Sequence, residues 1–285
     1  MSRNVRVQVL GATRLARVVV PYLLERRGAR VLAIDPGDED EARPWFAPVR
    51  GLARDNGIAL GVREDADLVI DLDPDARPTS PRGVGVRVLA PDGATSPDVN
   101  RMLLGGGAWA MGVTDGVGLW GSRPLEREEG DDGVVLLDRA TLAGLEALDA
   151  AWEGMFAPDG SLVPPPEALA RPLRGGRFRP AEAFVNWELP AVTVVARVRA
   201  CAGAWGGART HIGETVVWLE DAEVCAPQTP EGWAPGTLVE VDRNLVVATG
   251  RGLVRIRRLR PAWRPSRSAG VFATESGLGP GYLLA

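Results

Sequence analysis

Apolar positions in the first 150 residues follow two alternating patterns. Val5–Leu10 (VRVQVL), Arg30–Asp35 (RVLAID), Asp67–Leu72 (DLVIDL) and Val84–Leu89 (VGVRVL) are short, nearly continuous apolar runs. Such runs mark strands buried on both faces. Between the first two, Leu15, Val18, Val19, Tyr22 and Leu23 recur at helical spacing, and Gly11 ends the preceding run. This is a β-α-β unit, which favours a parallel sheet with a right-handed crossover. Pro48–Leu60 reads as a helix, a Gly57 stop and the start of another strand. Ser96-Pro97 predicts a helix start, with serine as N-cap and proline at the first helical position, running through Leu104 to a stop at Gly105–Gly107. Ala108–Val113 and Val134–Leu137 are short strand candidates. Ala140–Phe156 is an amphipathic helix with Leu142, Leu145, Leu148, Ala151 and Trp152 on one side.

The pattern then changes. Ala157–Pro180 is rich in proline and glycine, the composition of a linker. Pro190–Cys201 reads as a helix despite its β-branched residues. Short strand-like runs follow at Glu214–Leu219, Ala222–Cys225, Thr237–Val241, Leu245–Thr249 and Leu253–Leu259, separated by turn signals such as Pro235-Gly236. Short, regularly spaced strands after a helix suggest a small barrel or sandwich. The expected organisation is an α/β domain over 1–157, a linker over 158–182 and a smaller β-rich domain over 183–285.

Composition narrows the function classes. The formal charge of −4 gives no global pull toward nucleic acid or anionic lipid. All 33 basic residues are arginine, which points to codon bias in a GC-rich bacterial genome and removes any lysine base or Schiff-base lysine. Cys201 and Cys225 form neither a disulfide framework nor a metal motif, so no metal site is expected. No apolar run approaches the roughly 20 residues that span a membrane. Met1–Arg6 leads directly into a strand-like run without a signal-peptide apolar stretch, so a cytoplasmic protein is expected. Gly11–Ala16 holds one of the three glycines of a dinucleotide fingerprint, with Asp35 at the distance of a ribose contact. The missing glycines argue against that cofactor.

Several segments, in order, resemble the methionyl-tRNA formyltransferase family. Val7–Ala16 (VQVLGATRLA) stands where the family has a strand and a G-T-P-x-F-A-like turn. Pro48–Leu60 is similar to its P-V-K-x-L-A-x-x-x-G-I-x-V segment, and Gly112-Val113-Thr114 to its T-G-V-T stretch. Trp187–Ala191 with Val198-Arg199-Ala200 resembles the W-x-x-x-A…I-R-A element that opens the family's C-terminal domain. Gly206–Thr210, Ala222-Glu223-Val224, Pro235–Leu238 and Leu245–Leu259 resemble its successive barrel strands. The resemblance implies an α/β fold: a doubly wound parallel, Rossmann-type sheet followed by an OB-like β-barrel. It also implies a 10-formyltetrahydrofolate cofactor and transfer of its formyl group to an amine.

The resemblance implies, in addition, an Asn-x-His pair at a strand end and an Asp beyond the G-V-T stretch. These serve a reaction in which an amine attacks a formyl carbon, an oxyanion forms and a proton is relayed. Here Val84–Leu89 runs into Ala90-Pro91-Asp92-Gly93-Ala94-Thr95, with neither Asn nor His. The stretch Gly118–Ser122 carries Trp120 where the acid would stand, and the chain's one histidine, His211, falls in the second half. Polar residues expected at the carboxyl ends of the sheet, where open α/β sheets bind ligands, are Asp92, Asp115 and Asn100 as candidate catalytic groups. Thr95, Ser96, Thr114 and Trp120 are candidate ligand contacts. Each has an ordinary alternative: Ser96 a helix cap, Asp92 and Asp115 turn residues, Asn100 a helix surface residue, Trp120 core.

Three functions follow as expectations. One is an enzyme of formyltransferase descent acting on a small amine or acyl substrate. Another is a binding or regulatory module that keeps the fold without the chemistry. Folate-dependent transfer to an amine or aminoacyl-tRNA is the third. Arg255, Arg257, Arg258, Arg260, Arg264 and Arg267 cluster near the last strand, where they are either an RNA-contacting face or a solvated basic edge.

Overall fold

The computed structural model describes residues 5–37, 46–72, 83–91, 102, 107–169, 180–202 and 206–285. These fall into two compact units. One holds the described residues through Leu169 apart from 130–134, and the other holds those from Pro180 onward together with 130–134.

The first unit is built on an eight-stranded sheet. Its strands are β1 (Arg6–Leu10), β2 (Arg30–Asp35), β3 (Ala59–Leu60), β4 (Leu68–Asp71), β5 (Gly83–Leu89), β6 (Trp109–Thr114), β7 (Gly118–Leu125) and β8 (Glu167–Ala168), in the order β3-β2-β1-β4-β5-β6-β7-β8. Pairing is parallel from β3 to β5 and antiparallel from β5 to β8. The expected parallel sheet is therefore a mixed one. β6 follows Gly107 directly and meets β5 head to tail, and a short turn then returns the chain as β7. So tight a turn can join only antiparallel neighbours.

Helix α1 (Arg14–Glu25) buries Leu15, Ala16, Val19, Val20 and Leu23. Thr13 caps it: its hydroxyl accepts from Ala16 N–H and donates to Leu72 O, each at 3.1 Å. One side chain thus starts the helix and ties it to the end of β4. Helix α3 (Gly133–Trp152) absorbs Val134–Leu137, expected as a strand. A short apolar run cannot by itself distinguish strand from buried helix, and exposed Val135 beside buried Leu136 and Leu137 shows the helical alternation. Gly144 marks where α3 lies closest to the sheet, since a Cβ there would stand 3.1–3.2 Å from Leu15, Met111 and Val86. The short helix α2 (Arg50–Asp55) leads into β3, as expected.

Val86 faces α3, so its neighbour Arg87 points to the opposite face of the sheet. Arg87 and Asp71 are each only 2% exposed at the side chain. The guanidinium donates from Nη2 to Asp71 Oδ2 at 2.6 Å and from Nη1 to Asp71 O at 2.9 Å. To reach Asp71 it folds back over Gly85, where a Cβ would lie 2.8 Å from Arg87 Cζ. Glycine at 85 is the space the arginine occupies.

The second unit has helix α4 (Ala191–Ala200) packed against a six-stranded antiparallel sheet. The strands are β9 (Ala208–Ile212), β10 (Thr215–Ala226), β11 (Leu238–Val241), β12 (Leu245–Ala248), β13 (Leu253–Pro261) and β14 (Arg267–Ser268), ordered β11-β12-β13-β10-β9 with β14 on β13. Helix α5 (Ala269–Ser276) follows. The two runs expected at Glu214–Leu219 and Ala222–Cys225 are one strand, β10, kinked by register shifts around Asp221. Such bulges bend a strand without ending it. The expected OB-like barrel is, among the described residues, an open sheet: β9 and β11 are its edges and do not pair with each other.

Trp187, Val194, Val198, Leu219, Val254 and Ile256 are among the core residues of this unit. The Trp187-Glu188 stretch docks on the turn after β12. Gly250 N–H donates to Trp187 O at 2.9 Å, and a Cβ at Gly250 would fall 1.9 Å from Glu188 O.

Replacing Arg87 by Met alone strands the Asp71 carboxylate in the sheet interior and should cost about 3–5 kcal/mol. Adding Asp71→Leu should recover most of that loss. Urea unfolding of the two variants checks this; equal destabilisation in both would contradict it.

Candidate functional site

The carboxyl ends of β1, β2 and β4 stand level, because their registers run Asp35–Leu10–Asp71 across the sheet. The same row continues through Gly85 of β5 and Thr114 of β6. β5 runs on from Gly85 to Leu89, past the end of its parallel neighbour β4. Open α/β sheets bind ligands at this edge.

Among the described residues, the titratable groups at this edge are held by their own chain. Asp35 Oδ1 accepts from Gly37 N–H at 3.1 Å. Gly11, at φ 106°, donates its N–H to Asp35 O at 2.8 Å, so the β1–α1 turn closes on β2. Asp71 is joined to Arg87. Neither residue of this pair was among the candidates read from the sequence. The available signal was a charged residue inside each buried run, VGVRVL and DLVIDL.

Four candidates, Asp92, Thr95, Ser96 and Asn100, lie outside the described residues. Thr114 is buried in the row itself. Its hydroxyl donates to Gly118 O at 2.5 Å and accepts from Gly116 N–H at 2.9 Å. Asp115 Oδ1 accepts from Val117 N–H at 2.9 Å and Gly118 N–H at 2.8 Å. Together these bonds build the β6–β7 turn. β6 runs against β5, so the chain beyond Thr114 heads toward the amino ends of the parallel strands. Asp115 was expected at the carboxyl ends and lies past the row on the other side, because the strand before it is antiparallel. Trp120 is half-buried, its indole N–H donating to Val163 O at 3.1 Å. Thr114 pairs with Leu119, the neighbour of Trp120, so these three candidates belong to one hairpin, with Thr114 and Asp115 holding its turn.

A cavity of about 700 Å³ opens elsewhere on the first unit, among Tyr22, Arg26, Arg27, Arg123 and Asp149. Arg27 donates through Nε to the Tyr22 oxygen, and the Tyr22 hydroxyl donates to Asp149. Burial, and then the bond to Asp149, push the Tyr22 phenol up to about 12. The hydrogen bond from Tyr22, with help from Arg27, holds the Asp149 carboxyl below its ordinary value.

In the second unit four of the six clustered arginines are in ion pairs. Arg255 meets Glu223 at 3.0 Å, Arg257 meets the same carboxylate, Arg260 meets Glu220 at 3.2 Å, and Arg267 meets Glu275. Arg258 donates to Ser266 Oγ at 2.8 Å. The guanidinium carbons of Arg209 and Arg260 also lie 5.7 and 4.8 Å from the Trp218 ring centroid. His211 stacks on Phe184, with ring centroids 5.2 Å apart and 16° between planes. Its backbone N–H donates to Ala285 O at 2.6 Å.

Among the described residues no cluster of His, Cys, Asp and Glu could hold a metal ion, and no helix is long and apolar enough to cross a membrane.

Comparison with known proteins gives a consistent set of likenesses. Residues 177–276 match the family model described as formyl transferase, C-terminal domain. A methionyl-tRNA formyltransferase from Mycobacterium marinum is 31% identical over 149 residues, covering 51% of this chain and 46% of that protein. The chain thus spans about half the length of several curated relatives that it matches. One from Methylococcus capsulatus is 26% identical over 264 residues, covering 81% of this chain and 83% of the relative. Among solved structures, HypX from Aquifex aeolicus in complex with tetrahydrofolic acid superposes with a TM-score of 0.62 at 16% identity, over 98% of this chain and 48% of that one. The N-formyltransferase from Helicobacter canadensis, in complex with folinic acid and dTDP-3-aminofucose, gives 0.61 at 10% identity, over 88% and 98%. These last two likenesses speak to the fold.

Asp115→Asn keeps an oxygen that can accept the turn's N–H groups and should change stability by less than about 0.5 kcal/mol. Asp115→Ala should cost about 1 kcal/mol. Denaturant midpoints separate the two, and an equal loss in both would argue for a role of the charge. A second expectation concerns Tyr22. Its folded value of about 12 exceeds the unfolded value of about 10, so its contribution is complete below about pH 10 and is lost as pH rises toward 12. Tyr22→Phe should flatten the fall in unfolding free energy over that window. Because Tyr282 is the chain's one other tyrosine, phenolate absorbance of the variant isolates the Tyr22 titration directly.

Proposed function

We propose that this chain, which belongs to a formyltransferase-like family, binds a small amine or acyl compound at its strand ends without performing folate-dependent formyl transfer. The observation that carries the reading is the engagement of the ionisable groups there among the described residues. Asp35 holds a turn, Asp71 is locked to Arg87, and Asp115 lies past the row in its own turn. Formyl transfer needs a group to take a proton from the attacking amine and donors for the oxyanion. The chain's one histidine is in the second unit.

The cofactor implied by the resemblance is 10-formyltetrahydrofolate. The described residues do not supply the donor set for it. The guanidinium of Arg87 covers Gly85 at this edge, and the carboxylate nearest to it is Arg87's own partner. No reaction step is therefore assigned through folate.

A second reading, in which the bound compound is also transformed, is favoured by the reach of β5 beyond its parallel neighbour β4. Asp92, Thr95, Ser96 and Asn100 follow that strand in the sequence and are the groups that would act. On either reading the second unit serves as a supporting module. The pairing of four of its six clustered arginines argues against a strong RNA-binding face.

The test is direct. The protein is mixed with 10-formyltetrahydrofolate and an acceptor, either a panel of amines or methionyl-tRNA, and formylated product is counted. Product at the uncatalysed rate is expected, whereas turnover would overturn the proposal. In parallel, an amine or acyl compound bound at 100 times its dissociation constant adds about 2.7 kcal/mol of stability. That appears as a rise of several degrees in melting temperature.

A further inference from the structure

Trp263 stands out among the described residues. Its relative exposure is 101%, and it is the one non-glycine residue with a positive φ, 61°. It is third in a turn closed by Arg264 N–H on Pro261 O at 3.2 Å. Turns with this φ pattern take glycine or asparagine there. A bulky side chain in the left-handed region is a costly choice, and such outliers concentrate where a residue is used.

A groove of about 640 Å³ adjoins it, walled by Ile212, Val216, Phe272 and Leu278, with Tyr282 also lining it. Glu214 and Arg264 are the charged residues of its lining. Among the described residues neither is in an ion pair.

We propose that this patch is a two-fold interface between two copies of the chain. Trp263 of each copy enters the groove of the other, and Glu214 of each meets the partner's Arg264. A two-fold interface must be self-complementary, the same patch serving as both donor and receptor. This one holds an apolar anchor beside a groove of mixed apolar and polar lining, with one acid and one base in it. Tryptophan and arginine are the residues most enriched at interface centres. A buried tryptophan supplies about 150–250 Å² of the roughly 800 Å² per partner that a stable contact needs, and the groove walls supply further area. A nucleic-acid platform would need guanidiniums free for phosphate, and the neighbouring Arg255, Arg257, Arg260 and Arg267 are already paired.

Sedimentation velocity over a concentration series tests the proposal on the full chain. The wild type should show a monomer–dimer equilibrium. Trp263→Gly should weaken it at least tenfold, while the melting temperature of the dilute monomer stays the same or rises, because glycine accepts the turn geometry. A tryptophan with a purely structural role would instead lower that melting temperature. Glu214→Arg and Arg264→Glu should each weaken the dimer, and the double exchange should restore it. A wild type that stays monomeric at its highest soluble concentration overturns the proposal. So does a dimer indifferent to Trp263→Gly, or a double exchange that restores nothing.

Discussion

Taking a guanidinium and a carboxylate out of water separately costs several kcal/mol each, and only close mutual pairing offsets that. Arg87 and Asp71 are buried to the same depth in the centre of the first sheet, so each requires the other. That requirement sets much of the local design. Glycine at residue 85 leaves room for the arginine, since a Cβ there would stand 2.8–3.1 Å from the guanidinium. β4 and β5 must pair with Asp71 opposite Gly85, or the arginine two residues further on could not fold back to it. The opposite face of the same strands is then left wholly apolar, where Val86 and Met111 receive α3 at Gly144.

The same pair governs what the strand ends can do. A carboxylate at the carboxyl edge of an α/β sheet is ordinarily available to a ligand. Here, among the described residues, it is neutralised from within by Arg87, and Asp35 holds a turn. Likeness to a formyltransferase-like family does not by itself fix the chemistry, because a fold hosts function only through the particular groups placed on it.

The second unit solves its electrostatics differently. Its arginines lie on a strand surface rather than in a core, and facing glutamates on β10 pair with three of them. The stacking of Arg209 and Arg260 on Trp218 comes from three separate strands. Linear spacing could not show it, because only strand pairing makes those residues neighbours.

Local signals in the sequence were enough for most of the elements. Continuous apolar runs marked β1, β2, β4 and β5, helical spacing marked α1, α4 and most of α3, and the ordered motifs pointed to the family. These survive because burial periodicity is written residue by residue. The tertiary structure decided what depends on partners far along the chain: the antiparallel direction of β6 and β7, the fusion of two runs into β10, and the open edges of the second sheet. It also decided which charges are free. Asp115 read as a candidate acid, but its carboxylate holds the β6–β7 turn, and Arg87 was not among the candidates although the fold brings it within 2.6 Å of Asp71. A side chain's type is local, but its availability is set by what packs against it, and that exists only once the chain has folded.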